Sequence, residues 1–120
     1  MSELQTVTAK RQPVAADAAS IVLPLVLVAD ADPQSRLRRA QQLTDRGFRV
    51  AVARTAFEAI VKASCHLPDL ILVDASLADD GARETAKLLS TCPATAHIPI
   101  VRVSPGRRLP SRVFAAAAAR

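Results

Sequence analysis

The stretch that most constrains this chain is Leu67 to Ser76, L-P-D-L-I-L-V-D-A-S. Pro68 and Asp69 end whatever precedes them, and the apolar run Leu70-Ile71-Leu72-Val73 leads straight into Asp74. A continuous β-favouring run without polar alternation is the pattern of a strand covered on both faces, as in a parallel sheet. In open α/β sheets ligands bind beyond the carboxyl ends of the strands, so an acid that closes such a run is a site candidate. The same residue also reads as a turn-forming Asp at a strand end. Leu25-Val26-Leu27-Val28-Ala29 is a second run of this kind, and it ends on Asp30.

Helical segments separate the runs. Asp32-Pro33 opens a helix, the Asp as cap and the Pro preorganised for the first helical position. It extends to about Arg46, with Leu37, Ala40 and Leu43 as the buried stripe and Gly47 placed for a left-handed stop. Phe48 to Ala53 is a strand by period, more exposed than the others. Thr55 to Glu58 is a capping box opening a helix that turns Ala56, Ala59, Ile60 and Ala63 inward. After the Leu70–Asp74 strand comes a loop, Ala75 to Gly81, then a helix from about Ala82 to Ser90 with Thr85, Leu88 and Leu89 inward. Ile98 to Val103 is a fourth strand, with Pro99 near its start where it is tolerated best. The order β-α-β-α-β-α-β predicts an α/β fold, a doubly wound parallel sheet with right-handed crossovers.

The 120 residues are enough for one domain with a core. Three Phe and neither Tyr nor Trp argue against a base-stacking single-strand binder, which needs aromatic platforms. The net charge is +5, and no acidic residue follows Glu84, whereas Lys87, Arg102, Arg107, Arg108, Arg112 and Arg120 do. Such an end can attract nucleic acid or an acidic partner, or can simply be a solvated surface. Cys65 and Cys92 lack metal-ligand spacing and fit a reducing cytosol. His66 and His97 stand apart in sequence. The apolar stretch Ile21 to Ala29 is nine residues with Pro24 inside it, too short for a membrane span, and Asp17 interrupts any signal-peptide core. A cytoplasmic protein is expected.

Four patterns, in order and at the right spacing, resemble the receiver domain of two-component response regulators: V-L-V-A-D-A-D-P, G-F-R-V-A-V-A-R-T-A-F-E-A-I, P-D-L-I-L-V-D and P-A-T-A-H-I-P-I-V-R-V-S. The resemblance covers about Leu25 to Pro105. It implies a flavodoxin-like receiver fold over residues 21–105, with four recognisable strands and the fifth strand and helix missing. Residues 1–20 are then a flexible extension, and residues 106–120 a basic, Ala-rich tail too short to hold a helix unaided. By the resemblance, Asp74 is the phospho-acceptor, and Asp30, Asp74 and the backbone carbonyl of Ser76 are the ligands of a Mg²⁺ ion. Ser104 is then the switch hydroxyl.

The match is partial. The second acid of the metal pair falls on Ala31, and Asp32 is placed to cap a helix rather than bind metal. The loop A-S-L-A-D-D-G is one residue short, and the Lys and aromatic residue of a fifth strand have no counterpart. Arg107, Arg108 or Arg112 is left as a source of positive charge. Each charged hydrogen bond contributes roughly 1.5–3 kcal/mol, so two losses imply phosphotransfer slower by roughly two to four decades.

The expected function is therefore a pseudo-receiver of a phosphorelay, not an enzyme, acting through protein–protein contacts with a histidine kinase or another signalling protein. The alternatives are a working acceptor that uses Asp30, Asp32 and Asp74, and a basic nucleic-acid binder, for which no reader motif is present. A small α/β enzyme would need a nucleophile–base pair or a phosphate loop, and the sequence offers neither. Without a fifth strand the fourth is an open edge, and the sheet face near the first strand lacks cover. A homodimer, the N-terminal extension or the Ala-rich end is expected to fill it.

Overall fold

The computed structural model describes residues 23–77, 81–105 and 108–119. The extension expected over residues 1–20, the middle of the loop after Asp74 and Arg107 lie outside the described residues. The elements alternate: β1 (Leu25–Ala29), α1 (Pro33–Asp45), β2 (Arg49–Ala53), α2 (Ala56–His66), β3 (Leu70–Asp74), α3 (Gly81–Thr91), β4 (Ile100–Val103) and α4 (Ser111–Ala118). The four strands form one parallel sheet in the order β2-β1-β3-β4. This is the doubly wound α/β fold that the pattern of runs predicts. No helix among the described residues is long and apolar enough to cross a membrane.

The sheet face each residue meets follows from the two-residue period of a strand. Val26, Val28, Leu70 and Leu72 point to one side, where Leu43, Phe48, Val113, Phe114 and Ala117 cover them. Leu27, Ala29, Ile71 and Val73 point to the other, onto Ala59, Ala63, Leu77, Leu89 and Ile98. Every residue of β3 is buried, which is why its sequence shows no polar alternation. Asp69 does more than end the preceding helix. Its carboxylate accepts from the Leu25 N–H at 2.8 Å and its own N–H donates to the Leu25 carbonyl at 2.8 Å, which fixes β3 beside β1.

The helix ends use the expected chemistry. Asp32 caps α1 through Ser35 N–H, and Gly47 stops the chain at φ +90°. Thr55 caps α2 by accepting from Glu58 N–H at 3.0 Å, while the Glu58 carboxylate accepts from Arg54 N–H at 2.7 Å. That backbone bond lowers the Glu58 pKa, and the nearby Lys62 and Arg54 charges act the same way. Its stabilising contribution is thus present above the unfolded-state pKa and is lost as pH falls through the folded-state value.

Three packing details differ from the expectation. Leu37 is 67% exposed; the buried stripe of α1 is Ser35, Arg39 and Leu43, four residues apart. On α3, Thr85 and Leu89 are buried but Leu88 is exposed. The sheet face beside β1 is covered by the Ala-rich end, one of the covers expected, and what differs is that this end is helical. The Ala-rich end holds an eight-residue helix, α4, because Val113, Phe114 and Ala117 bury themselves against the sheet and supply what a short isolated helix lacks. Among the described residues β4 pairs only with β3, so its outer edge is free.

Leu67 closes α2 at φ 47°, ψ 63°, with its N–H bonded to the Ala63 carbonyl at 3.0 Å. In this left-handed region a Cβ crowds the next carbonyl at a cost of about 1–2 kcal/mol, and the half-exposed side chain offsets little of it. Leu67→Gly is expected to raise stability by about 0.5–1 kcal/mol after the larger unfolded-state entropy of glycine is counted. The urea midpoint measures this. A lower midpoint would show that the Leu67 side chain contributes packing that exceeds the strain.

Candidate functional site

The carboxyl ends of β1, β3 and β4 meet at one point. Asp30 follows directly on β1, where its N–H still donates to the Ala53 carbonyl at 2.9 Å. Asp74 is the last residue of β3 and lies opposite Val103 of β4. Parallel register therefore brings the two acids together from positions 44 residues apart in the chain. Asp30 is 0% exposed and Asp74 1%.

Buried carboxylates need donors for their lone pairs, and both acids have them. Asp30 Oδ1 accepts from Asp32 N–H at 3.0 Å and from Ser76 Oγ at 3.2 Å. Its Oδ2 accepts from Ser35 Oγ at 2.6 Å and from Arg39 Nη1 at 3.1 Å. Asp74 Oδ1 accepts from Ser76 N–H at 2.6 Å, and its Oδ2 accepts from the same Arg39 Nη1. Arg39 Nη2 donates to the Ser104 carbonyl at 2.8 Å. The guanidinium is itself 1% exposed. One cation from α1 thus ties the ends of three strands.

Of the residues singled out in the sequence, Asp30, Asp74, Ser76 and Ser104 all come to this point, though with different contacts from those anticipated. Ser76 meets the acids through its N–H and hydroxyl. Ser104 contributes its backbone carbonyl, and no hydrogen bond joins its hydroxyl to Asp74. Ala31, at the position of the missing acid, is exposed. Asp32 is taken up as the cap of α1. Among the described residues the positive charge at the acids comes from Arg39 and not from the arginine-rich end. Arg108 and Arg112 make no ion pair with Asp74, and with Arg102 and Ser104 they line a hollow of about 250 Å³.

The donor set can be tested against Mg²⁺. That ion takes oxygen ligands at about 2.0–2.1 Å in near-octahedral geometry. The two oxygens best placed to share it, Asp30 Oδ2 and Asp74 Oδ2, already share Arg39 Nη1. A metal between them would have to displace a buried guanidinium. Among the described residues there is no group of three His, Cys, Asp or Glu able to hold a metal ion. The residues present do not fit Mg²⁺ while Arg39 stands between the acids.

Arg39 and Ser35 are the site residues that sequence reasoning missed. The signal was present but pointed the wrong way. An apolar stripe through Leu37 and Leu43 looks better than one through Ser35, Arg39 and Leu43. Only the spacing of four from Leu43, on a helix that starts beside an acidic strand end, marks Arg39 as inward and near Asp30.

No protein-family model matches the sequence, and no curated protein does. Solved structures do match. The N-terminal domain of a response regulator receiver protein from Methanoculleus marisnigri JR1 is 24% identical at a TM-score of 0.66, over 80% of each chain. The chemotaxis protein CheY4 of Vibrio cholerae is 23% identical at 0.66, over 81% of this chain and 80% of its own. The signal receiver domain of a signal transduction histidine kinase from Syntrophus aciditrophicus is 17% identical at 0.70, over 80% of this chain and 91% of its own.

Proposed function

This chain has the receiver fold, and from the site it carries there we propose that it is a pseudo-receiver. In this reading it is a cytoplasmic regulatory protein of a two-component phosphorelay that works by binding other proteins rather than by passing a phosphoryl group through Asp74. The observation that carries the reading is the state of the acceptor. Asp74 is 1% exposed, with Oδ1 held by Ser76 N–H and Oδ2 by Arg39. A nucleophilic carboxylate must offer a lone pair along an open line of attack, and a buried side chain with a guanidinium against one oxygen and a backbone N–H against the other presents phosphorus with no such approach. The absence of a second acid at Ala31 supports the same conclusion. The partners of this reading are a histidine kinase or another signalling protein, and a second copy of the chain at the free edge of β4. Phe57, 77% exposed, and Val61, one turn further along the outer side of α2, support a protein partner.

The test is incubation with a small phosphoryl donor and Mg²⁺, followed by intact mass. No phosphoryl adduct is expected under conditions that fully label an ordinary receiver. An adduct on the wild-type chain that disappears in Asp74→Asn would establish a working acceptor instead.

A further inference from the structure

We infer that Arg39 is this protein's built-in replacement for a divalent cation: a covalently attached charge that closes the acid pair permanently and makes the site insensitive to Mg²⁺. The inference rests on the pseudo-receiver reading and goes beyond it by naming the group that enforces it.

Two buried carboxylates brought together at the ends of adjacent strands repel each other, and keeping both of them ionised there requires a cation between them. A divalent ion is one solution. It comes from solvent, can leave, and leaves ligand positions open to a phosphoryl oxygen. Arg39 is the other. Its guanidinium is always protonated, cannot diffuse away, and directs one nitrogen to both carboxylates. The remaining negative charge is spread over neutral donors: Ser35 Oγ, Ser76 Oγ and the N–H groups of Asp32 and Ser76. Two of these donors come from the start of α1 and two from Ser76 in the loop after β3, so the cluster is complete without an ion.

The second guanidinium nitrogen gives the arrangement a mechanical consequence. It donates to the Ser104 carbonyl at 2.8 Å, just past the end of β4. The link from α1 through Arg39 to the β4 end therefore stays made whatever the Mg²⁺ or phosphoryl-donor concentration. The end of β4 is thereby held in one arrangement.

An ordinary buried ion pair and a cation substitute differ in what their removal leaves behind. Taking away Arg39 leaves two carboxylates and a gap where a metal ion fits, so a variant without the guanidinium acquires a divalent-cation site that the wild type lacks. Wild type, Arg39→Ala and Arg39→Ala/Asp74→Asn are compared by thermal melting and by Mn²⁺ binding followed by electron paramagnetic resonance. Circular dichroism reports folding, and no phosphoryl donor is present. The wild-type Tm is expected to stay within about 1 °C on addition of 10 mM Mg²⁺ or Mn²⁺, with no Mn²⁺ bound at this site. Arg39→Ala is expected to melt about 15 °C lower, to bind one Mn²⁺ per chain, and to regain most of its Tm with the metal. The double variant, short of one carboxylate, is expected to fold without metal and to bind Mn²⁺ at least tenfold more weakly.

Wild-type chain that binds Mn²⁺ as tightly as Arg39→Ala would overturn the inference. So would folded Arg39→Ala that binds none, or unfolded Arg39→Ala that 10 mM Mn²⁺ does not refold. Because metal binding is read without a phosphoryl donor, its failure is distinct from labelling of Asp74, which would instead remove the pseudo-receiver reading.

Discussion

Arg39→Met is expected to lower the unfolding free energy by about 3–5 kcal/mol in metal-free buffer, the range for removing one partner of a buried charge pair. Methionine keeps most of the stem volume and supplies no charge. Asp30 and Asp74 are then left against each other, 0% and 1% exposed, and the Ser104 carbonyl loses its donor. Most of the loss comes from the carboxylates and little from packing, so the partner variant discriminates. Asp74→Asn alone is expected to cost at most about 1 kcal/mol. The amide oxygen still accepts a hydrogen bond, and the change brings the net charge of Asp30, Asp74 and Arg39 from −1 to zero. Combined with Arg39→Met it is expected to recover about 2 kcal/mol, a coupling within the range for groups in one buried network. Urea unfolding at pH 7 of the two single variants and the double variant measures the cycle. An Arg39→Met chain within 1 kcal/mol of wild type, or a double variant no more stable than Arg39→Met, would show that the guanidinium does not neutralise these acids.

The cycle also bears on what could be read from the sequence and what could not. The sheet was legible because strands buried on both faces must be apolar throughout, and Leu25–Ala29 and Leu70–Val73 are. The two acids were legible because each closes such a run, and parallel pairing places run ends side by side. The helix caps at Asp32 and Thr55 were legible because capping is local chemistry. Arg39 was not. Arginine is rarely fully buried, and a stripe through Leu37 looks more apolar than one through Arg39. The inward direction of Arg39 follows from the acids it meets, one of them contributed from 35 residues further along the chain. The apolar choice for α1 failed because the upper half of that helix faces a charged site and only its lower half, at Leu43, faces hydrocarbon. Ser104 misled for a related reason. Its hydroxyl matched a pattern, whereas its contribution is the backbone carbonyl, which every residue type carries.

The C-terminal helix is the other place where three-dimensional context overrode a local reading, and it yields the second large expected effect. Phe114→Ala is expected to cost about 3 kcal/mol, the lower end of the range for emptying a buried aromatic site. That corresponds to a Tm fall of roughly 15 °C for a domain of this size. The ring is 9% exposed and packs in the cluster with Val26, Val28, Leu70 and Leu72. The Arg46 guanidinium lies 4.1 Å from its centroid, a contact that adds about 0.5–1 kcal/mol at an exposed site. The low end of the range is appropriate because the ring is at the margin of the core, where neighbours can partly close the gap. A change on the other side of the same helix sets the baseline. Ala115 is exposed, so Ala115→Lys is expected to stay within about 0.5 kcal/mol of wild type. The contrast between the two variants is the informative quantity, because helix propensity alone would make both small. Two near-neutral results would mean that α4 does not cover β1 and β3. The apolar face formed by Val26, Val28, Leu70 and Leu72 would then require another cover, and a second copy of the chain, detected as a concentration-dependent dimer by light scattering, would become its expected source.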